Sequence, residues 1–226
     1  MKRLTLLATL TVAFCLSAQE RTAPQTLLEP GDTFFGDFTQ ESGRWLALVR
    51  RGDHYEWKFA KVNVSPTEAP EGYSDEIQAW RISSDVPSKE VLFFAKGLDY
   101  LSSKKVVHLA ATADPLVNGK PVQLQFGRRR YEVLVSTGEE GGLQRSRVRL
   151  RSGNREQVLI SVGGDAIDLN WSLLWAGDLD GDQKLDLYMN LATHYALTEK
   201  VLFLSSRARG SEIVGRAGSF ATNCGC

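Results

Sequence analysis

The sequence predicts an all-β fold, either an antiparallel sandwich or an irregular barrel. From Asp32 onward, short apolar segments alternate with turn residues at a spacing of roughly 8–12 residues, which is typical of such folds. Few windows carry the period of an amphipathic helix. The chain has 226 residues, which is enough to bury a substantial core in one domain.

The predicted strands follow one another with short connections. The stretch Ser65–Gly72 is predicted to be a loop inside one domain, or alternatively to mark a boundary between two subdomains near 65–74. The region 77–100 also permits a short helix. In chain order the predicted strands are Thr33–Phe38, Trp45–Arg50, Glu56–Val64, Ile77–Ser83, Val91–Ala95, Val106–Ala111, Val122–Phe126, Arg130–Thr137, Gln144–Arg151, Gln157–Val162, Asn170–Ala176, Leu185–Ala192 and Val201–Ser205.

The N-terminus has the three parts of a secretory signal peptide. Residues 1–18 combine a basic end, an apolar stretch and a small residue before Gln19. The apolar run is shorter than the ~20 residues that a membrane-spanning helix needs, and no other segment approaches that length. We therefore expect a secreted or periplasmic protein without a transmembrane segment. The remaining chain is expected to divide into a polar leader at 19–31, a single β-rich domain at 32–206 and a C-terminal tail at 207–226.

The charge balance excludes one class of partner. The chain carries 27 basic and 27 acidic residues, so its formal net charge is zero. A nucleic-acid-binding domain is expected to carry a basic excess. The sequence therefore predicts no nucleic-acid partner.

One short stretch carries a recognisable chemistry. Asp178, Asp180, Asp182 and Asp186 fall at positions 1, 3, 5 and 9 of a possible loop, and Lys184 stands at position 7. Carboxylates packed this closely repel one another unless a cation lies between them. Calcium takes hard oxygen ligands at this spacing, with a backbone carbonyl at position 7. These five residues are therefore the candidate ligands of a Ca²⁺ ion.

The flanks of this stretch indicate strands and not the helices of a calcium-binding EF-hand. An EF-hand requires Gly at position 6 and Glu at position 12, where this chain has Gln183 and Met189. Residues 171–176 and 185–192 alternate with the period of strands. The stretch is thus predicted to be a strand–loop–strand hairpin, with Leu185 turned inward as its anchor.

Residues 176–190 resemble the calcium-binding loop of FG-GAP (integrin-type) repeats, whose pattern is Asp-x-Asp-Gly-Asp-Gly-x-x-Asp-Leu. The resemblance implies that the four aspartates are side-chain ligands and that Lys184 contributes its carbonyl. Gln183 departs from the pattern, which usually has Gly there. If that position needs a positive φ, glutamine costs about 1 kcal/mol.

Members of this family often carry several such repeats and form propellers. Residues 36–43 have the outline of a degraded second copy, but they lack the carboxylates at positions 3 and 9. A single intact copy favours a sandwich or irregular barrel with one calcium-binding hairpin.

The segment around Ser152–Asn154 permits a prediction of register. Keeping the apolar residues on one face favours a three-residue loop, Ser152–Asn154, that places Val148 opposite Val158. The same register places Arg151 opposite Arg155, an unfavourable pair of like charges.

This strand also carries a row of arginines on one exposed face, and residues 128–130 add further arginines on the preceding strand or its turn. The row is either a binding face for an anionic polymer or acidic partner, or a solvated face balanced by nearby glutamates. The arginines are Arg145, Arg147, Arg149 and Arg151, and the glutamates are Glu132, Glu139, Glu140 and Glu156.

No nucleophile and base stand at a recognisable spacing, so the leading hypothesis is a secreted β module in which calcium is mainly structural and which binds a protein or a glycan. One alternative is an extracellular hydrolase that uses calcium or acidic residues, with Asp165, Asp168 and His194 as the residues to compare with a pocket. A further alternative is thiol–disulfide exchange through Cys224 and Cys226 in the terminal Cys-Gly-Cys sequence.

Overall fold

The computed structural model describes residues 26–35, 42–69, 78–110, 114–164, 169–194 and 197–223. Within these ranges the chain forms strands, turns and three short 3-10 helices, and no α-helix occurs among them. The predicted all-β antiparallel architecture is confirmed.

The observed strands coincide with most of the predicted ones to within a few residues. The 3-10 helices span Ser88–Glu90, Asp99–Ser103 and Ser205–Arg207. In chain order the strands are β1 Leu27–Leu28, β2 Gly31–Phe35, β3 Gly43–Arg51, β4 His54–Thr67, β5 Ala79–Ser84, β6 Val91–Ala95, β7 Val107–Ala110, β8 Val122–Phe126, β9 Arg129–Glu140, β10 Leu143–Ser152, β11 Arg155–Gly163, β12 Ser172–Asp178, β13 Asp186–Asn190, β14 Leu197–Leu204 and β15 Gly215–Asn223.

The strands form two sheets. The larger sheet has the order β1-β6-β3-β4-β5-β2-β15-β14-β13-β12-β7, and it curls into a half-barrel. The smaller sheet is the meander β11-β10-β9-β8. All pairings between these strands are antiparallel.

Strands β12, β13 and β14 separate two hydrophobic cores. On one face, Trp175 and Tyr188 pack into the large-sheet core, which also contains the buried residues of β1, β3 and β6. On the other face, Leu173 and Leu187 pack into the intersheet core, which is shared with the four-stranded sheet. Because both faces are buried there, the central parts of these strands are continuously apolar, at 173–176, 187–189 and 201–204.

Two observed strands lie in segments that were predicted to be tails. Strand β1 falls in the predicted leader at 19–31, yet Leu27 and Leu28 are fully buried. Strand β15 falls in the predicted tail at 207–226, yet it pairs with β14 along most of its length. The leader and tail predictions are therefore wrong for these two strands. The sequence did not indicate β15 because it consists mainly of small residues, which lack the apolar pattern of a strand.

The turn between β10 and β11 also differs from the prediction. The three-residue loop Ser152–Asn154 is wrong, because Ser152 pairs directly with Arg155 across a two-residue turn. Arg151 consequently lies opposite Glu156 and forms an ion pair with it. The shorter turn thus replaces the expected pair of like charges with an attractive pair.

A β-bulge reconciles this turn with the apolar pattern. Arg149 lies opposite Val158, but Val148 lies opposite Ile160, so Leu159 is the extra residue. The predicted pairing of Val148 with Val158 is therefore wrong, and Val158 is 47% exposed. The bulge turns Ile160 toward the intersheet core, against which it packs.

The predicted arginine row lies on the outer face of β10 and is balanced by carboxylates. Glu140 pairs with the first two arginines of the row, and Glu156 pairs with the last two. Of the two interpretations, these ion pairs favour the solvated, charge-balanced face. The four arginines are Arg145, Arg147, Arg149 and Arg151.

Some predictions fall outside the described residues. They concern the signal peptide at 1–18, most of the degraded copy at 36–43, the carboxylates Asp165 and Asp168, and the cysteines Cys224 and Cys226. Within the described ranges, the chain forms no helix long and apolar enough to cross a membrane.

Candidate metal centre

The acidic loop, residues 179–185, connects β12 to β13 and is held at both ends. Leu179 is buried in the large-sheet core, and Leu185 is buried in the intersheet core. The carbonyl of Leu179 also accepts a hydrogen bond of 2.9 Å from Nε1 of Trp57. The predicted strand–loop–strand arrangement, with Leu185 as an inward anchor, is confirmed.

Three of the four predicted aspartates converge at this loop. Asp178, Asp180 and Asp186 are 3%, 5% and 0% exposed. One carboxylate oxygen from each lies within 4.8 Å of the others. Two oxygens on opposite sides of a Ca²⁺ ion are roughly 4.6–5.2 Å apart, because each Ca–O distance is about 2.3–2.6 Å. The cluster therefore has the dimensions of a site around one shared cation.

Asp186 is arranged to be an anion although it is fully buried. Its Oδ2 accepts a hydrogen bond of 2.7 Å from the Leu179 amide, and its Oδ1 accepts one of 2.7 Å from the Ser205 amide. Burial and the neighbouring charge of Asp180 nevertheless raise the pKa of Asp186 to about 8. Two backbone donors favour the charged form while burial opposes it, and a bound cation would remove this conflict.

Asp180 contributes an oxygen that has no partner. Its Oδ1 accepts a hydrogen bond of 3.3 Å from the Asp182 amide. Its Oδ2 is buried and accepts no hydrogen bond from the described residues. Burial, with the charges of Asp182 and Asp178, raises the pKa of Asp180, and the nearby Ser206 hydroxyl opposes this in part. A buried carboxylate oxygen without a partner is costly, so it marks a position for a ligand.

The Asp178 carboxylate accepts hydrogen bonds from two backbone amides of the loop. Its Oδ1 accepts a hydrogen bond of 2.6 Å from the Gly181 amide, and its Oδ2 accepts one of 2.9 Å from the Gln183 amide. Among the described residues, no lysine or arginine forms an ion pair with Asp178, Asp180 or Asp186. Three buried carboxylates thus share one small volume without a compensating side-chain cation, which is an expensive arrangement unless an ion binds there.

The other two predicted ligands are arranged differently. The Asp182 carboxylate accepts hydrogen bonds from the Ser205 hydroxyl at 2.7 Å and from Lys184 Nζ at 3.1 Å. Partial burial opposes ionisation, but these donors hold the pKa of Asp182 below its usual value. Asp182 therefore lies beside the three-aspartate cluster and is not brought into it, and coordination by Asp182 and by the Lys184 carbonyl stays a prediction.

The donor set indicates which metals the cluster suits. All of its side-chain ligands are carboxylate oxygens, which favour hard cations such as Ca²⁺ or Mg²⁺ over zinc or copper. Magnesium demands shorter bonds of about 2.0–2.1 Å in a rigid octahedron. Carboxylate oxygens that lie within 4.8 Å of one another are compatible with either ion.

Several residues that build this site were not predicted from the sequence. The amide and hydroxyl of Ser205 come from the end of β14, and Trp57 comes from β4. Gly177 packs against β7, since a side chain there would meet the Val107 carbonyl. The only sequence signal that could have identified Ser205 is that it is a small polar residue directly after a strand.

The backbone at Gln183 has φ = 61°, and it is the one non-glycine residue with positive φ among the described residues. This conformation is the one that the resemblance to the FG-GAP pattern implies for the glycine at this position. Left-handed backbone costs a residue with a side chain roughly 1–2 kcal/mol. The departure from the pattern is therefore accompanied by local strain.

We predict that Gln183→Gly stabilises the protein by about 1 kcal/mol, because glycine adopts this φ without a steric penalty. For a protein of this size the melting temperature should rise by roughly 2–4 °C in a thermal melt. Gln183→Ala is the control, since it retains the Cβ atom and the strain. An equal rise in both variants would contradict the explanation.

Comparison with known proteins gave no relatives. No protein-family model matches the chain, and no significant match was found among curated proteins or solved structures.

The hydrolase alternative stays a prediction, because Asp165 and Asp168 lie outside the described residues; of the histidines, His54 lines the cleft of about 550 Å³. His194 lines none of the three clefts of about 710, 550 and 530 Å³. The ring of His108 instead packs beside Tyr55 and Trp175, with centroid distances of 5.0 and 5.8 Å.

Proposed function

We propose that this protein is a calcium-stabilised β module, with one structural Ca²⁺ ion bound by Asp178, Asp180 and Asp186. The observation that carries the proposal is the buried, unpartnered Oδ2 of Asp180 beside two other buried carboxylates. As the resemblance implies, the Lys184 carbonyl and the Asp182 carboxylate would complete the shell, directly or through water.

The position of the loop explains why the ion would be structural. The loop touches both cores, and Asp186 also receives a hydrogen bond from the amide of Ser205 at the end of β14. An ion at this point would tie β12, β13 and β14 together where the two cores meet. Its binding free energy would therefore add to the stability of the folded state.

A calcium titration followed by thermal melting tests this proposal. After chelation, added Ca²⁺ should raise the melting temperature in a saturable way, by about 2.7 kcal/mol of stability at a hundredfold excess over Kd. Magnesium at equal concentration should have a smaller effect because of its geometric demands. A melting temperature that is unchanged between chelator and excess calcium would refute a structural ion.

We also propose that the module is secreted or periplasmic and that it binds a protein or a glycan. An open cleft of about 550 Å³ lies next to the acidic loop and is lined in part by Tyr55, Trp57, Lys104 and Lys105. Trp57 connects this wall to the loop through its hydrogen bond to the Leu179 carbonyl. Calcium would thus hold one wall of the cleft in place, without taking part in any chemistry there.

A further inference from the structure

The four-stranded sheet carries a second feature that the calcium proposal does not use. Because β8-β9-β10-β11 is a meander, its first and last turns lie at the same end of the sheet. Arg128 belongs to the first turn, and Arg129 and Arg130 begin β9 directly after it. Arg155 begins β11 after the last turn. The topology therefore gathers arginines that are distant in sequence.

These arginines surround one open pocket. Strands β9 and β10 are neighbours, and Arg151 of β10 lies opposite Glu132 of β9, so the following turn reaches the level of Arg130. The pocket has a volume of about 530 Å³. Its lining consists of Arg128, Arg129, Arg130, Ser152, Gly153 and Arg155. We refer to these six residues as the arginine pocket.

The charges in the arginine pocket are not neutralised as those of the arginine row are. Arg145 and Arg147 on the row pair with Glu140. No carboxylate of the described residues forms an ion pair with Arg128, Arg129 or Arg130, and all three side chains are exposed. Three exposed arginines without an ion pair to the described residues therefore lie together at this end of the sheet.

One guanidinium of the pocket is held in place by backbone. Nη2 of Arg155 donates hydrogen bonds to the carbonyls of Ser211 and Glu212. A guanidinium has five N–H donors, so donors remain for a ligand. Fixing the side chain in advance reduces the entropy that binding must overcome. Arg155 is thus a preorganised group beside three exposed arginines.

The composition of the pocket selects the class of ligand. Planar guanidinium groups match sulfate, phosphate and carboxylate groups by paired hydrogen bonds. The lining has no apolar side chain, whereas a protein interface is expected to have an apolar centre. It also has no aromatic ring on which bases could stack, and the whole chain has no basic excess for nucleic acid.

We propose that the arginine pocket binds an acidic polysaccharide through its sulfate or carboxylate groups. A polymer with regularly spaced anionic groups can engage several of the arginines at once, which strengthens binding beyond that of a single ion. This inference goes beyond the proposed function, because it assigns a ligand to a second site, away from the cleft beside the acidic loop. It is independent of calcium, because the pocket and the acidic loop lie on different sheets.

The test measures binding of dextran sulfate and polygalacturonate to the full chain by biolayer interferometry, with neutral dextran and a single-stranded oligonucleotide as comparison probes. Binding should weaken by about tenfold for each arginine lost, so Arg129→Gln with Arg130→Gln should reduce it by about a hundredfold. Arg145→Gln with Arg147→Gln removes the same charge from the balanced row and should have little effect. A preference between the two polymers identifies sulfate or carboxylate as the recognised group.

Three outcomes would overturn the proposal. The first is that neither polymer binds. The second is that the two Arg→Gln double variants lose the same affinity for the polymer. The third is that the oligonucleotide binds as tightly as the polymers or more tightly. Arg129→Lys with Arg130→Lys keeps the charge but loses the planar fork, so a loss of affinity there supports recognition by guanidinium geometry. The calcium-dependent melting shift should be the same in all variants, so the failure of either proposal is distinguishable from the failure of the other.

Discussion

Replacing Asp180 by Asn is expected to abolish the calcium-dependent rise in melting temperature. The substitution removes a ligand charge at the carboxylate whose Oδ2 is buried and unpartnered, while it preserves the size of the side chain. At a hundredfold excess over Kd, calcium should stabilise the unsubstituted protein by about 2.7 kcal/mol, or roughly 5–10 °C at this chain length. The variant should show none of this shift.

The metal-free proteins provide the second half of this experiment. Without calcium, Asp180→Asn replaces one of three crowded, buried carboxyl groups by a neutral amide, so the variant should melt no lower than the unsubstituted chain. Asp182→Asn should retain part of the calcium shift, since the Asp182 carboxylate is engaged by Ser205 and Lys184. The exposed Asp99→Asn is the matched surface control. A full calcium shift in Asp180→Asn would place the ion elsewhere.

Gly177→Ala is expected to be the most destabilising of the small substitutions near the loop. A Cβ atom at this position would lie 2.0 Å from the Val107 carbonyl oxygen and 2.6 Å from the Trp175 ring. Neither the backbone of β7 nor the fully buried Trp175 can move away cheaply. We expect a loss of about 3 kcal/mol, and a fall in melting temperature of roughly 6–12 °C.

Gly138→Ala is the matched control for this substitution. Gly138 also lies within a strand, but a Cβ atom there would meet nothing within 4 Å. Its effect should stay within about 0.5 kcal/mol. Urea unfolding followed by tryptophan fluorescence measures both variants. Similar stabilities for the two alanine variants would contradict the close approach of β7 to Gly177.

The acidic hairpin could be predicted because its determinants are local. The alternation on both sides of the loop indicated strands, and Leu185 at its end was an apolar residue in a polar segment. The pattern of aspartates identified the cluster of Asp178, Asp180 and Asp186 that the structure brings together. Periodicity within a few residues of a motif is the kind of information that a single sequence carries.

The supporting residues could not be predicted because their contacts span long distances in the chain. Trp57 is 122 positions from Leu179, whose carbonyl it contacts. The role of Asp182 depends on the Ser205 hydroxyl, which only the pairing of β13 with β14 brings near. Spacing within the loop cannot distinguish an aspartate that faces the cluster from one that faces a neighbouring strand.

The failure to predict strand β15 has a different cause. Its sequence is rich in small residues, so its fit depends on close backbone approach and not on an apolar face. A Cβ atom at Gly218 would lie 2.5 Å from the Thr26 hydroxyl oxygen. Gly218 thus makes room for the segment that leads into β1. Hydrophobic periodicity does not register this kind of packing.

The place of β15 between β14 and β2 has a consequence for synthesis. Within the described residues, β2 and β15 meet where Phe35 pairs with Asn223 and where the Thr222 hydroxyl exchanges hydrogen bonds with the Phe35 backbone, 187 positions earlier in the chain. While a ribosome is still producing β14, strand β2 lacks its partner on that side, and the two halves of the sheet remain separate. Contacts between such distant segments form slowly. The two halves of the large sheet can therefore join through β15 only after that strand has been synthesised.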